Sequence, residues 1–556
     1  MIRVEKIGQG LYFKNAYKLS FKYDPNTVAK VKELAQRNYL PDDRAWEIPE
    51  SELPNLIQKV GVNNIVSEEI TGELKAKELE DKKMAIQKRL EGIQPVKEVT
   101  LKSTLLPHQI EAFNYGIKRD KILIGDEQGL GKTLESIAIT VSRKKELVKC
   151  LIVCGVNSVK YNWEKEISIH SKEKSVMIDG KSMEVRATQI NNWYTGEEYF
   201  GIINIESLRN QKIQDALYVG IKDGYIGAVI VDEIHKAKNG NSRQGKALRT
   251  LKTPVRIGLS GTPMNKAEDL WNILTWLDVE RRSFWQFRNT YCIMGGYGNY
   301  KVIGHKNLES LNAELNSVML RRKKEEVLNL PPKIYNTEYV ELTKAQQKIY
   351  KDIKNGIIED LENILTSVNP LSCTLRLRQL TGGLFTADNP KLDRVKDMLE
   401  EEIIPNGYKA IIFSQWEQIT ELYKEALKDY NPIYITGKVE PEERQKAVER
   451  FQTDPNCKLA IGTIGAMGTG LTLNKASYVF FIDKKWNSGE NEQAEDRAHR
   501  IGTANTVNII SLVAKDTVDE GVEDYLVENK NLFQRIVDGK GTKVDIKTIL
   551  TKLLKM

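Results

Sequence analysis

The run Ile122-Leu-Ile-Gly-Asp-Glu-Gln-Gly-Leu-Gly-Lys-Thr133 places a lysine and a threonine after a glycine-rich turn. A hydrophobic strand, such a turn and a helix start aim backbone N–H groups and the positive end of a helix at an anion, here nucleotide phosphate. Lys132 would neutralise the outer phosphate charge, and the Thr133 hydroxyl would bind Mg²⁺. Gly129 and Gly131 would let the backbone approach the phosphate, which bulky side chains would prevent. The generic pattern G-x-x-x-x-G-K-[ST] is met imperfectly: Asp126 stands at its first position, with Gly125 one residue early.

A second constellation lies in Ala228-Val-Ile-Val-Asp-Glu-Ile-His235, a buried-strand pattern ending in two acids. An aspartate at the C-terminal end of a parallel strand can hold Mg²⁺ through water, and a neighbouring glutamate can orient and deprotonate the attacking water. Asp232 is therefore the expected metal residue and Glu233 the expected base. No other His or Cys clusters in sequence with His235, which reads as a link from the nucleotide to neighbouring loops. The polar turn Leu259-Ser-Gly-Thr-Pro-Met264 offers hydroxyls that can bond to the acidic pair. In Leu106-Pro-His-Gln109 the Gln109 amide can read both a donor and an acceptor on adenine.

Far along the chain, Gln493-Ala-Glu-Asp-Arg-Ala-His-Arg500 sets Arg497 and Arg500 three residues apart. On a helix they share a face and suit the charge of a γ-phosphate in its transition state. The loop Gly462-Thr-Ile-Gly-Ala-Met-Gly-Thr-Gly470 can approach a phosphate of ATP or of a nucleic-acid backbone. A wall of cation and acids facing a wall of guanidinium groups makes a motor if ATP draws them together and hydrolysis releases them.

Positioning these groups requires parallel sheets. Short Val/Ile-rich runs at 121–125, 150–154, 199–205, 228–232 and 256–260 alternate with helical segments. A second set follows at 409–414, 432–436, 458–463, 478–483 and 507–512. The expected fold class is α/β, two tandem parallel-sheet domains preceded by a small α+β module. The module spans 1–66, with strands in the aromatic-rich start, a helix over 26–38, a strand at 45–49 and a helix to 60. A charged connector helix follows at 67–98, then a first ATPase lobe at 99–330. A mainly helical segment with weak strand signals covers 331–392, the second lobe 393–540, and a basic tail 541–556.

The 556 residues are too many for one core, and the charge balance of +7 suits a polyanionic partner. The five cysteines are too scattered for a disulfide framework and fit a reducing interior; Cys150 and Cys154 read as core residues. With no membrane-length apolar run and no signal peptide, a soluble protein of the bacterial or host cytoplasm, or of a eukaryotic nucleus, is expected.

The ordered motifs resemble those of the Swi/Snf-type ATPases of helicase superfamily II. They are the four already quoted around Gln109, Lys132, Asp232 and Ser260, then Phe413-Ser-Gln-Trp416, Gly465-Ala-Met-Gly-Thr-Gly-Leu471 and the stretch ending at Arg500. Met319-Leu-Arg-Arg-Lys-Lys-Glu-Glu-Val-Leu-Asn-Leu-Pro-Pro332 also looks like that family's segment after the first lobe. The resemblance covers about residues 105 to 537. It implies two RecA-like lobes, Mg-ATP hydrolysis stimulated by DNA, and translocation along duplex DNA, by a monomer in the simplest case. It carries phosphate and Mg²⁺ contacts onto Lys132 and Thr133, metal and hydrolytic roles onto Asp232 and Glu233, and phosphate sensor and arginine finger onto Arg497 and Arg500. It places Gly470 in the loop linking ATP to DNA. Departures are Gln128 for the family's frequent Met, Ser488 for Pro and Thr503 for Gln. Phe21-Lys-Tyr-Asp-Pro25 through Ala45-Trp-Glu-Ile-Pro49 resembles the HARP-type module of annealing helicases, which act on forked or branched DNA. A junction-binding clamp with DNA-stimulated ATPase and an ATP-driven displacer of DNA-bound proteins share the same motor motifs.

Overall fold

The computed structural model describes residues 2–539 apart from 22–23, 42, 62–64, 67–80, 82–83, 99, 156–158, 296–297, 299–300, 329, 363–369, 469–470 and 501. The chain forms two compact units, Met1–Glu91 and Gly92–Met556. Half of the expected charged connector and all of the tail at 541–556 lie outside the described residues; of the rest of the connector, 84–90 is helical and 91–98 is turn and irregular chain, short of the helix expected to 98.

The first unit is a five-stranded sheet with strands β1 (Ile2–Gln9), β2 (Lys14–Ser20), β3 (Asn38–Leu40), β4 (Ala45–Pro49) and β5 (Ile65–Val66) in the order β3-β4-β2-β1-β5. Its core joins Ile2, Val4, Tyr17, Leu19 and Ile48 of the sheet to Val31, Leu34, Leu56 and Val60 on the helical side. The helix Pro25–Lys32 begins where proline tolerates the missing N–H, and Asp24 accepts from Thr27 N at 2.8 Å. It stops short of the expected end at 38, because Asn38, Tyr39 and Leu40 pair with Glu47, Trp46 and Ala45 of β4. Sheet pairing there wins over a helical apolar spacing. Glu47 is fully buried and accepts from the backbone N–H groups of Leu11, Tyr12 and Phe13 at 3.0, 2.9 and 2.8 Å, closing the β1–β2 turn. A Cβ at Gly10 would collide with that carboxylate.

The second unit holds two parallel sheets. The first contains β6 (Lys121–Ile124), β7 (Lys149–Cys154), β8 (Ser175–Met177), β9 (Phe200–Asn204), β10 (Ile226–Asp232), β11 (Val255–Leu259) and β14 (Met319–Leu320), ordered β14-β6-β11-β10-β7-β9-β8. A small hairpin of β12 (Cys292–Gly295) and β13 (Lys301–His305) stands apart from it. The second contains β15 (Lys333–Val340), β16 (Ala410–Ser414), β17 (Ile433–Ile435), β18 (Leu459–Thr463), β19 (Tyr478–Phe481) and β20 (Val507–Ala514), ordered β15-β20-β19-β16-β18-β17. Each sheet is buried on both faces between two apolar clusters, which is why its strands read as continuous Val/Ile runs. Cys150 and Cys154 are fully buried in β7.

Two features differ from the sequence reading. Within the stretch read as mainly helical, β15 pairs along its whole length with β20, from Lys333↔Val507 to Val340↔Ala514, and so belongs to the second sheet. As an edge strand it is covered on few sides, and Asn336, Thr337 and Glu338 interrupt its apolar pattern. The helices Lys344–Glu362 and Pro370–Thr381 follow it. The C-terminal helix Val518–Ile536 leaves the second lobe and ends in the core of the first, where Ile536 and Val537 join the cluster that holds Leu308, Leu311 and Leu315. Asn312 Nδ2 donates to the Ile536 carbonyl at 2.7 Å, and Asp538 pairs with Arg321 at 2.6 Å and Lys323 at 3.0 Å. Among the described residues no helix is long and apolar enough to cross a membrane.

Glu47→Ala removes the acceptor from three amides at once. Hydrogen exchange on the whole chain is expected to quicken about tenfold or more at residues 11–13, on the order of 1.4 kcal/mol of local stability. Unchanged exchange there would show that the carboxylate does not fasten the turn.

Candidate nucleotide site at the lobe interface

The loop after β6 reverses the chain through Gly129 and Gly131, at φ 85° and 91°, values that a side chain would strain. The helix Lys132–Ser142 then starts with its N-terminus facing the cleft. Lys132 Nζ donates to the carbonyls of Asp126 and Glu127 at 2.7 and 3.1 Å, folding the loop around the ammonium.

Asp126, the oddity in the loop pattern, is fully buried and serves as an anchor. It accepts from Arg322 N at 2.9 Å and forms a forked pair with the Arg322 guanidinium. Arg322 also donates to Glu135 at 2.8 Å. Burial and the Asp126 charge push the Glu135 carboxyl well above the usual carboxylate range. Arg322 is the residue sequence reasoning missed here. Its only signal was the Arg-Arg pair after the first lobe's last strand.

At the end of β10, Asp232 accepts from Trp163 Nε1 at 2.9 Å through one oxygen and from Glu233 N at 2.9 Å through the other. Trp163 carried no signal in its own segment. Glu233 sits in the left-handed region, φ 49°, which turns its carboxylate back toward the loop. Burial and the Glu233 charge raise Asp232. Glu233 is also pushed up by burial, but His235, Lys132 and Gln128 outweigh that and hold it well below the usual carboxylate range. His235 Nδ1 lies 3.0 Å from Ser260 Oγ and 3.2 Å from Glu233 Oε2. It thus ties the acid to the Ser-Gly-Thr loop. The Thr133 hydroxyl and the Asp232 carboxylate are hard oxygen donors of the kind Mg²⁺ takes.

The second lobe supplies the facing wall. Gln493 Nε2, in the helix Ser488–Glu495, donates to Glu233 Oε1 at 3.2 Å, and Gln128 Nε2 donates to the same oxygen at 3.3 Å. Arg497 is buried and donates to the Leu471 and Gln493 carbonyls at 3.0 and 3.1 Å. Arg500 donates to Thr472 Oγ1 at 2.8 Å and lies against the phosphate loop, its Cγ 3.3 Å from where a Cβ on Gly129 would stand. Thr503, where the family often has Gln, accepts from Arg500 N at 2.9 Å and donates to the Ala498 carbonyl at 2.7 Å, so the shorter residue closes this loop itself.

Lys132, Asp232, Glu233 and Arg500 therefore meet in one cleft with the loop glycines. The helix expected to carry both arginines ends at Glu495, so Arg497 and Arg500 stand on the turn that follows it, and Arg497 is spent on carbonyls of its own lobe. Gln109 spends both ends of its amide on the backbone: its Oε1 accepts from Leu106 N at 3.0 Å and its Nε2 donates to the Leu130 carbonyl at 3.3 Å. Gly470 lies outside the described residues. Gln128 and Gln493 were within quoted motifs, but only the fold sets both amides on Glu233.

Two parallel-sheet lobes close a glycine-rich loop against an arginine-bearing turn. The SNF2-related domain matches residues 108–382, and the helicase conserved C-terminal domain matches residues 390–502. The chain belongs to the SNF2-type ATPases of helicase superfamily II. It is 29% identical to the human DNA annealing helicase and endonuclease ZRANB3, over 80% of this chain and 41% of that protein. It is 26% identical to the putative ATP-dependent helicase/translocase YwqA of Bacillus subtilis, over 81% and 50% respectively. The chain thus spans between two fifths and half of these relatives. The SWI2/SNF2 ATPase core of Sulfolobus solfataricus, solved with double-stranded DNA, aligns with 83% of this chain and 98% of its own at 25% identity and a TM-score of 0.38.

Two stability measurements test the electrostatics of the cleft. Arg322→Leu leaves Asp126 charged and unpaired, and is expected to cost about 3–5 kcal/mol in denaturant unfolding, part of it recovered by adding Asp126→Asn. No recovery would mean that the pair is not the coupled unit. His499 Nε2 donates to the Pro331 carbonyl at 2.7 Å, while its buried Nδ1 has no hydrogen-bond partner among the described residues. Burial, then the nearby Lys333 charge, push His499 down to about 4. The unfolded chain therefore takes up this proton first, so the stability is fully present above the ordinary histidine value and is lost as pH falls from about 6.5 to 4, by about 3 kcal/mol. His499→Gln should remove most of that slope in unfolding curves taken across this window; an unchanged slope would assign it elsewhere.

Proposed function

We propose that this chain is an ATP-driven DNA motor that hydrolyses ATP on binding duplex or forked DNA and uses the cycle to move along or remodel it. The observation that carries the reading is the approach of Arg500 to Gly129 across the cleft, beside the Gln493–Glu233 contact. A guanidinium at that place can meet phosphate charge only while the lobes are together, which couples chemistry to lobe movement.

In this reading Lys132 leaves the Asp126 and Glu127 carbonyls for the outer phosphates, and the loop N–H groups hold the inner ones. Thr133 and Asp232 hold Mg²⁺, which screens phosphate charge. Glu233, ionised and gripped by two amides, aligns the attacking water and takes its proton. Arg500 acts as the finger on the transferring phosphate and Arg497 as a sensor behind it, with the loop ending at Gly470 passing the change to DNA. His235 relays the state of Glu233 to Ser260. Gln109 reads adenine by exchanging its backbone partners for the base. The human relative's name, an annealing helicase, favours DNA with a fork or branch as substrate, and the N-terminal α+β unit is the part assigned to recognise it. The net charge of +7 suits the same polyanion.

ATP turnover measured without DNA and with single-stranded, duplex and forked DNA of equal length tests this. DNA is expected to stimulate the wild type, while Lys132→Ala, Glu233→Gln and Arg500→Ala each lower kcat by roughly 100-fold or more. Glu233→Gln should still bind nucleotide. Equal turnover by Lys132→Ala and wild type excludes the site. A triplex-displacement assay reads movement. Stimulated turnover without displacement would turn the reading into a clamp.

A further inference from the structure

Away from the cleft, the first lobe gathers Glu268, Cys292 and His305. Cys292 opens β12 and His305 closes β13; they are directly opposed in the antiparallel pair, which puts both side chains on one face of the hairpin. Glu268 reaches them from the short turn Ala267–Asp269, a few residues beyond the Ser260 loop. That turn is held by Asp269, whose carboxylate accepts from Asn265 N, Lys266 N and Lys238 Nζ at 2.9, 3.2 and 2.7 Å. The fixing of Asp269 frees Glu268 to face the hairpin.

One ligand atom from each of the three residues lies within 4.8 Å of the others. Cys292 is 1% exposed, and the Glu268 and His305 side chains are 8% exposed. Glu268 Oε2 and His305 Nε2 stand 3.5 Å apart as a long ion pair, and neither atom has a partner at hydrogen-bond geometry among the described residues. Buried polar atoms are nearly always bonded, and a direct charged hydrogen bond between these two would close to about 2.7–2.9 Å. A tetrahedral zinc ion with ordinary bond lengths sets its N and O ligands about 3.4 Å apart and its S and N ligands about 3.6 Å apart. The N–O separation is already that of a shared ion, and the sulfur needs a movement on the order of 1 Å to join.

We propose that Glu268, Cys292 and His305 form a Zn²⁺ site that staples the β12–β13 hairpin to the turn following the Ser260 loop. A thiolate with an imidazole selects zinc among the common divalent ions, and three protein ligands leave a fourth place for water. Zinc displaces the thiol proton, one proton leaving Cys292 to solvent as the Zn–S bond forms, with no change of oxidation state. Lys266 Nζ, 3.8 Å from the other side of the Glu268 carboxylate, is on a side chain 60% exposed and free to turn into water. The site is independent of the ATPase reading and stands or falls without it.

The test uses the full chain, stripped with EDTA and titrated with Zn²⁺, or with Co²⁺ as a spectroscopic probe. One equivalent should bind, Co²⁺ should give a thiolate charge-transfer band, and Zn²⁺ should raise the Tm. Cys292→Ser should abolish the band and the rise, and Glu268→Gln or His305→Ala should weaken binding tenfold or more. Wild-type binding no tighter than that of Cys292→Ser overturns the proposal. A reading that needs no substitution is alkylation of the wild type followed by peptide mapping: Zn²⁺ should slow labelling of Cys292 and leave Cys457 unchanged. Equal labelling of Cys292 with and without zinc overturns it as well.

Discussion

One carboxylate oxygen, Glu233 Oε1, receives an amide from each side of the cleft, Gln128 at 3.3 Å and Gln493 at 3.2 Å. Glu233 is buried among Lys132, His235 and Asp232, so an ionised side chain there needs donors from somewhere. The first lobe alone supplies one amide and the imidazole. The second lobe completes the shell, and the closed arrangement of the lobes is thereby written into the solvation of a single charge. Withdrawal of Gln493 would leave Glu233 under-solvated, which makes the acid responsive to lobe position.

Two other contacts work with it. Lys324, just past the first sheet's last strand, donates to the His499 carbonyl and pairs with Asp496, both at 2.8 Å, while Lys333 pairs with the same Asp496 at 2.8 Å. Asp496, which caps the helix Ser488–Glu495, is therefore held between two lysines of the segment that joins the lobes, and the turn bearing Arg497 and Arg500 is fixed by charge from behind. The helix Val518–Ile536 adds an apolar tether by burying Ile536 and Val537 in the first lobe. Movement between the lobes would have to bend or release these ties, which include the Asp538 pairs with Arg321 and Lys323 at the end of that helix.

The strictness of the phosphate loop comes from beneath. Asp126 in place of a glycine looks like a defect in the generic pattern, but it is the acceptor that holds Arg322 and so fixes the loop to the end of the first sheet. A glycine there would leave a guanidinium buried without its principal counter-charge. Gln128 in place of Met likewise has a use, since only a donor side chain can reach Glu233. Departures from a motif carry information when the fold gives the new atom a partner.

Residue order alone indicated the two-lobed α/β class and the position of nearly every central strand, and it pointed to Lys132, Thr133, Asp232, Glu233, Arg497 and Arg500 as candidates for one set. These signals are local: a strand buried on both faces must be apolar throughout, and a turn that admits phosphate must be glycine-rich. What the chain kept hidden was pairing between distant segments. β15 is an edge strand whose residues carry no clean period, and the Trp163, Arg322 and Gln493 contacts to the acids join positions scores of residues apart. The amide of Gln109 bonds to backbone groups that only packing brings beside it. Periodicity records which face of an element is buried; the partner on that face, and the charge it carries, are fixed only when the elements close on one another.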